Sequence, residues 1–353
     1  MKTFESSNSR RVHKGRYIGV GISTYIEMTV FGTKFMTAAG VDHGNHDAAI
    51  VRMDPGGGVT LSVGTLSHGQ GHQTTFAQLA ADELGVRIED IKLVQGDTQA
   101  TPYGWGTGAS RSAVVGGGAV VYAARKVKEK ILRIAGKMLE VSPADLELVS
   151  GKAQVKGAPT RAVAIRDVAR IAMFSPGRLP PGEEPGLEAT YYHDPPAFTF
   201  ANATHIVTIE VDIETGKVKI VRYVVVEDCG KVINPTIVEG QITGGVAQGL
   251  GTVLYEHLIY DENGQMLTGS FMDYLLLTST EVPNIEFGHI ETLTPLTVGR
   301  VKGMGEGGAI APPGAIASAL ADALAPFGVK FTELPLTPNR VWDTIREARQ
   351  RQQ

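Results

Sequence analysis

Residues 48–64, AAIVRMDPGGGVTLSVG, and residues 204–226, THIVTIEVDIETGKVKIVRYVVV, decide the fold of this chain. Each contains two largely apolar runs separated by a turn that carries Asp and Gly, a pattern that predicts a β-hairpin. A segment rich in glycine and glutamine follows each hairpin. The first leads into a helix that ends near residue 84, and the second opens a helix at residues 241–250. This repetition predicts an internal duplication.

The remaining patterns complete an α+β fold. A strand is predicted over residues 17–27, a long amphipathic helix over 119–139, a strand over 152–155 and a last helix over 335–346. Residues 174–196 are rich in Pro and Gly and are the best candidate for a boundary. We therefore expect two related hairpin-loop-helix subdomains, residues 1–180 and 181–353.

Composition excludes several classes of protein. A length of 353 residues with 42% hydrophobic content can bury a sizeable core, and the net charge of -4 argues against nucleic-acid binding. The single cysteine, Cys229, excludes a disulfide framework and any iron–sulfur cluster held by thiolates of this chain alone. No run approaches the roughly 18 apolar residues of a membrane span.

A pair of arginines at residues 10 and 11 resembles a twin-arginine export signal. The segment after it contains Arg16 and Glu27 and has no small-residue cleavage site, so the sequence favours the cytoplasm.

Glycine is concentrated in residues 64–71, 104–118, 240–251 and 303–314. Clustered glycine without low complexity predicts backbone loops around a large ligand. In the last cluster, VKGMGEGGAIAPPG at residues 301–314, Glu306 stands among four glycines. A carboxylate buried beside a ligand is a natural general base because desolvation raises its pKa. The alternative is a surface loop with Glu306 in water.

Two other glycine-bearing segments suit an anion. HGQGHQT at residues 68–74 precedes a helix, where free amides and the positive helix end favour phosphate. His68 and His72 are too few ligands for zinc, and an ordinary loop is the other alternative. GWGTGASRS at residues 104–112 offers hydroxyl donors and the guanidinium of Arg111, although a plain turn under Trp105 is also possible. A serine hydrolase is disfavoured because the Gly-x-Ser-x-Gly elbow is absent.

Five motifs occur in an order that resembles one family, the molybdenum-binding subunit of the xanthine dehydrogenase and aldehyde oxidase family. They are HGQG at residues 68–71, GTGASRS at 106–112, DCG through NP at 228–235, QITGG at 241–245 and KGMGE at 302–306. The resemblance runs from about residue 15 to residue 346. Within the family, the chain looks most like bacterial carbon-monoxide-dehydrogenase-like large subunits and large subunits that hydroxylate aldehydes or heterocycles.

By this resemblance the ligand is molybdopterin cytosine dinucleotide, with the molybdenum held through the pterin and by no protein ligand. Residues 69–74 and 106–112 would cradle the pyrophosphate, residues 234–241 would help to hold the nucleotide, and Gln70 would lie near the metal. Glu306 corresponds to the catalytic base. The cofactor-binding residues implied are His68, Gly69, Gln70, Gly71, Thr74, Gly106, Gly108, Ser110, Arg111, Ser112, Asp228, Asn234, Gln241, Lys302 and Gly305.

The resemblance also implies what this chain lacks. Family members carry an upstream half of the cofactor domain with a Gly-Gly-Phe-Gly loop, so we expect only the C-terminal half here, as a split subunit or an excised piece. The expected partners are that other half, an iron–sulfur subunit with [2Fe-2S] and a flavin subunit with FAD. The expected reaction is hydroxylation of an aldehyde or N-heterocyclic carbon with oxygen from water. The alternative is a non-catalytic cofactor-binding or scaffolding subunit.

Overall fold

The computed structural model describes residues 15–42 and 44–351, and the double arginine at residues 10 and 11 lies outside them. The strands are β1 Arg16–Thr29, β2 Asp47–Met53, β3 Val59–Val63, β4 Ile91–Val94, β5 Leu146–Val149, β6 Lys152–Val155, β7 Ala158–Ala164, β8 Leu187–His193, β9 Thr199–Asp212, β10 Val218–Asp228 and β11 Ile285–His289. The helices are α1 Thr33–Ala38, α2 His72–Leu84, α3 Val115–Leu139, α4 Ile165–Phe174, α5 Pro235–Leu254, α6 Pro312–Ala323 and α7 Pro338–Arg351. The predicted α+β class is confirmed.

Both predicted hairpins are present, and each forms the centre of a four-stranded sheet. The first sheet has the order β8-β2-β3-β4 and the second has the order β1-β9-β10-β11. In both sheets the first two pairings are antiparallel and the last one is parallel. A helix crosses over between the parallel strands in each case, α2 in the first sheet and α5 in the second. The predicted duplication agrees with this shared topology.

The two sheets exchange their first strands. β1 precedes β2 in the chain but pairs along its whole length with β9, whereas β8 precedes β9 but pairs with β2. The helices follow the exchange, because α3 packs on β2 and β8 while α6 packs on β1 and β9. The division into residues 1–180 and 181–353 stays a prediction, and one strand from each side of it lies in the sheet of the other.

Two large apolar cores lie under the sheets. One joins the first sheet to α2, α3 and α4, and the other joins the second sheet to α5, α6 and α7. A small third cluster of Val30, Val114, Val115 and Val301 connects the end of β1, the start of α3 and the glycine-rich segment at 301–308. Burial of these four side chains holds parts of both repeats together.

The inner face of β1 carries small residues first and polar residues later. A Cβ added to Gly19 or Gly21 would overlap the backbone of α6, so the alternation of glycine lets this helix lie directly on the strand. Tyr25 and Glu27 continue the same face, because strand side chains alternate with a period of two. The face therefore leads from α6 to the turn that carries Glu306.

One predicted helix start is wrong. α5 begins at Pro235, where the Asn234 side chain accepts a hydrogen bond from the amide of Ile237. Asn234 is a favoured cap residue and proline is favoured in the first turn, so the helix starts six residues before Gln241. Gln241 therefore lies inside the helix and not in a preceding loop.

Candidate cofactor-binding site

A cavity of about 480 Å³ opens between the loops of the two repeats. Its walls come from the start of α2, residues 107–113, residues 229–241 and residues 301–306. The predicted site residues that line it are His68, Gly69, Gln70, Gly108, Ser110, Ser112, Asn234, Gln241, Lys302, Gly305 and Glu306. All five motifs thus contribute to one cavity, although they lie between residues 68 and 306 of the chain.

The start of α2 opens onto this cavity. Gly71 adopts a left-handed conformation with φ of 80° and gives the helix no side-chain cap. A Cβ at Gly71 would also lie 2.4 Å from Ile237 Cδ1 of α5, so both the left-handed backbone and this contact favour glycine here. The predicted ligand Thr74 is exposed and does not line the cavity, whereas Thr75 does. Thr74 and Thr75 both lie in the first turn of α2, where consecutive side chains point in different directions. Thr75 therefore faces the cavity and Thr74 points away from it.

His72 is a buried wall residue in the predicted 69–74 segment, although it was not among the individual cofactor-binding residues named from the sequence. It is 3% exposed, stacks on Phe76 and contacts the Gln95 side-chain nitrogen through Nδ1 at 3.2 Å. Burial lowers the pKa of His72 to about 4, so the ring is neutral. Its Nε2 is buried and has no partner among the residues that the structure describes.

Arg111 does not face the cavity, and the prediction that its guanidinium binds a phosphate is corrected here. The side chain is fully buried, with Nη1 donating to Asp47 Oδ2 at 2.6 Å and to the Gly106 carbonyl at 2.7 Å. The other terminal nitrogen donates to the carbonyls of Asn45 and His46. Arg111 therefore shapes the loop at 106–112 from behind, and Gly106 belongs to that support.

Burial has the largest effect on the pKa of Asp47, the ion-pair partner of Arg111. It raises the pKa of Asp47 to about 6, although the adjacent guanidinium and the Trp105 amide favour the ionised form. A buried pair of this kind contributes little net stability, but loss of one partner leaves a costly unpaired charge. The pair thus fixes the position of the 106–112 loop relative to the start of β2.

Asp228 is a second predicted ligand that lies behind the wall. Burial opposes its ionisation, but hydrogen bonds from Thr292, Gly230 and Lys302 outweigh this effect and lower its pKa. Lys302 Nζ lies 3.2 Å from Asp228 Oδ1. Lys302 lines the cavity, and its positive charge is balanced by Asp228 behind the wall. Lys231 also lines the cavity, is exposed and was not predicted.

Glu306 is exposed among the described residues, which agrees with the surface loop and not with burial, the two alternatives that its sequence left open. Ser110 nevertheless holds it at two points. The Glu306 amide donates to Ser110 Oγ at 3.0 Å, and Ser110 Oγ lies 3.1 Å from Glu306 Oε2. Gln241 Nε2 donates to the Gly305 carbonyl at 3.2 Å. Three of the motifs therefore meet at the turn that carries Glu306, which is the one carboxylate among the described lining residues.

Ser110 and Ala109 both have φ of 51°, a left-handed conformation that non-glycine residues rarely adopt. Each such residue costs roughly 1–2 kcal/mol. The Val30 amide donates to the Ala109 carbonyl at 3.2 Å and helps to hold the turn. Such strain is typical of functional sites.

The chain matches the family model of the molybdopterin cofactor-binding domain over residues 2–283. The chain belongs to this family. The large subunit of nicotine 6-hydroxylase from Paenarthrobacter nicotinovorans is 46% identical over 327 residues, covering 93% of this chain and 40% of that protein. The carbon monoxide dehydrogenase large chain of Hydrogenophaga pseudoflava is 38% identical over 331 residues, covering 94% and 41%.

Solved structures agree with this membership. The crystal structure of quinoline 2-oxidoreductase from Pseudomonas putida 86 gives a TM-score of 0.92 at 41% identity and covers 98% of this chain and 44% of that chain. The chain therefore spans about two fifths of the length of these three relatives.

The wall of this molybdopterin cofactor-binding domain fits an anionic ligand. The start of α2 has no side-chain cap, His72 Nε2 lacks a partner among the described residues, and Lys231 adds positive charge. Gly69, at φ of 101°, has open space where a Cβ would stand, so the backbone can be approached closely. Ile233, Ile237 and Val238 form an apolar part of the wall.

Protein metal ligands are not grouped in this domain. Within residues 15–42 and 44–351, no three His, Cys, Asp or Glu side chains come together as a metal site. Cys229 lines the cavity, but burial raises the pKa of its thiol to about 12. The thiol is therefore protonated at neutral pH. That molybdenum is held through the pterin stays a prediction.

Behind Glu306 lie two acids that sequence reasoning missed, the partly buried Glu27 and the buried Glu227. Glu27 Oε1 is 2.6 Å from Ser110 Oγ, and the Tyr25 hydroxyl donates to Glu227 Oε2 at 2.9 Å. Glu227 is 1% exposed, and burial raises its pKa to about 7. The alternation of β1 could have revealed Glu27, because it lies on the same face as Gly19 and Gly21.

None of the helices in the described ranges is both long and apolar enough to span a membrane.

Proposed function

We propose that this domain binds a molybdopterin dinucleotide, in the cytosine form, and forms part of a molybdenum hydroxylase. The observation that carries this proposal is the convergence of five motifs on one cavity with Glu306 at its wall. The start of α2, with Gly69 before it, would bind the pyrophosphate, Gln70 would lie near the molybdenum, and the start of α5 would lie near the nucleotide. Lys231 would add a positive charge for the anion.

The proposed reaction replaces a carbon-bound hydrogen by a hydroxyl group. Water supplies the oxygen, and two electrons and two protons leave the substrate and water together. The chemistry that the bound cofactor supplies is this two-electron oxidation. Glu306 would accept a proton from the attacking oxygen, and Ser110 and Gln241 would hold the base and its turn in place.

An N-heterocyclic carbon is the substrate class that the relatives favour over an aldehyde. Nicotine 6-hydroxylase and quinoline 2-oxidoreductase are named for N-heterocycles. The expected partners are the other cofactor-domain half, an iron–sulfur subunit and a flavin subunit, since relatives are named as large subunits or large chains. A cytoplasmic location stays a prediction.

The test is Glu306→Gln in the assembled complex. Glutamine keeps the shape but cannot take up a proton, so turnover should fall by roughly 10²–10⁴-fold. Molybdenum and pterin content should not change. Glu262→Gln is the matched control, because Glu262 is exposed and does not line the cavity. Near-normal turnover in Glu306→Gln would sink the assignment.

The same preparation separates an enzyme from a scaffold. A complex that contains molybdenum and pterin but oxidises no aldehyde and no N-heterocycle would indicate the cofactor-binding scaffold instead. Turnover of either substrate class would exclude the scaffold.

A further inference from the structure

Ser110 lies between two carboxyl groups. Its Oγ is 2.6 Å from Glu27 Oε1 and 3.1 Å from Glu306 Oε2, and it accepts a hydrogen bond from the Glu306 amide at 3.0 Å. A serine hydroxyl has one hydrogen to donate and two lone pairs. Its single hydrogen can therefore serve only one of the two carboxyl oxygens.

The proton count decides the state of this cluster. If both glutamates were ionised, one carboxylate oxygen would face Ser110 Oγ without a hydrogen between them, which is unfavourable at 2.6 Å or 3.1 Å. One extra proton removes the conflict. With that proton on Glu27, Glu27 donates to Ser110, Ser110 donates to Glu306, and the Glu306 amide fills the remaining lone pair.

The surroundings place that proton on Glu27. Glu306 is exposed, whereas Glu27 Oε2 is buried and has no hydrogen-bond partner within the described ranges. Burial raises the pKa of Glu27, and repulsion from Glu306 raises it further. The hydrogen bond with Ser110 lowers this pKa but does not outweigh burial. Glu27 forms no ion pair among the described residues, and Lys302, a lysine of the cavity wall, pairs with Asp228.

The other titratable groups around Glu27 add no positive charge. Tyr25 lies on the same strand face, and burial raises its pKa far above the ordinary range, so it is neutral. His205 of β9 packs against Tyr25, and burial lowers its pKa to about 4. Glu227 of β10 repels a charge on Glu27 when it is ionised.

We propose that Glu27 is a positioning residue for Glu306, held as a neutral acid that donates to Ser110 and so directs the only Ser110 hydrogen at Glu306 Oε2. The base is thereby held in one orientation and faces no second negative charge. The catalytic consequence rests on the proposed function, whereas the protonation of Glu27 does not.

The first measurement is infrared spectroscopy of the assembled complex in the Glu227→Gln background, which removes the neighbouring buried acid with the pKa of about 7. We expect the stretching band of a neutral carboxylic acid at about pH 7, well above the ordinary range for glutamate. The band should disappear in Glu27→Gln and persist in Glu262→Gln. A spectrum at that pH without a Glu27-dependent acid band would overturn the proposal.

The second measurement is turnover of Glu27→Gln, Glu27→Ala and Ser110→Ala at equal cofactor content. The amide of glutamine donates to Ser110 as the neutral acid does, so Glu27→Gln should stay within about threefold of the parent. Glu27→Ala and Ser110→Ala should each lose about tenfold or more in kcat, because Glu306 loses its fixed orientation. Equal losses in Glu27→Gln and Glu27→Ala would refute the proposal.

The two measurements fail independently. A complex without hydroxylase activity defeats the proposed function, and the infrared band still decides whether Glu27 is protonated. If Glu27→Ala does not fold, the spectrum and turnover of Glu27→Gln still test the proposal.

Discussion

Glu227 makes the stability of this molecule depend on pH. Burial raises its pKa from an ordinary 4.5 to about 7. Below the ordinary range, the carboxyl is neutral in both the native and the unfolded chain, so it has no pH-dependent effect. As pH rises towards 7, the unfolded chain ionises first and the native state is progressively destabilised, and above 7 the penalty is constant.

Glu227→Gln should remove this dependence. Glutamine stays neutral, so the stability advantage of the variant over the parent should be about 1–3 kcal/mol larger at pH 8 than at pH 5. Urea unfolding at the two pH values measures the difference. Glu129→Gln on α3, an exposed position, should show no such gain. An equal effect of both substitutions would contradict the prediction.

At the residue scale, the sequence predicted which segments border the cavity better than it predicted which residues their side chains contact. Residues 106–112 do border the cavity, but Arg111 turns away because Asp47, 64 positions earlier, offers a buried carboxylate. Glycine spacing indicates where a backbone can bend, and it carries no information on which distant residue a side chain contacts. Whether Glu306 is buried or exposed was left open for the same reason, since burial depends on what covers the turn.

At the scale of elements, α5 and the Glu306-bearing turn meet through glycine. A Cβ at Gly245 would lie 2.7 Å from Gly308 Cα, so the helix and the turn touch through their backbones. Gly244, the preceding residue, has nothing within 4 Å of its Cβ position. The two glycines therefore offer a matched pair of substitutions in one helix.

Gly245→Ala should push the turn away from α5 and lower both thermal stability and turnover. A loss of about 1–3 kcal/mol is expected, which is typical of overpacking. Gly244→Ala should instead gain roughly 0.5–1 kcal/mol, because alanine is the better helix former. Thermal unfolding of the two variants measures this contrast. A neutral Gly245→Ala would show that the helix and the turn are not in contact.

The elements predicted most accurately are those decided locally. The turn residues at 54–58 and 212–216 define the hairpins, and the apolar alternation defines their strands. The partners of β1 and β8 could not be predicted, because nothing in the composition of a strand says which distant edge it joins.

At the scale of the whole molecule, strand exchange predicts a single unfolding transition. The two tryptophans report on different parts, since Trp105 lies by the first sheet and Trp342 lies on α7 under the second. Single-tryptophan variants, Trp342→Phe and Trp105→Phe, should therefore give the same urea midpoint by fluorescence. Two distinct midpoints would indicate repeats that unfold separately.

Because β1 pairs with β9 and β8 pairs with β2, a cut in the polypeptide between the two repeats separates strands from their sheets. A backbone break between α4 and β8 would leave one fragment with a fourteen-residue strand and no sheet to receive it. The other fragment would carry β8 and lack the hairpin that β8 borders. Each fragment alone would expose unpaired backbone hydrogen-bonding groups along a sheet edge, and the other fragment carries the strand that pairs with them. We therefore expect the two fragments to stay associated as a non-covalent complex.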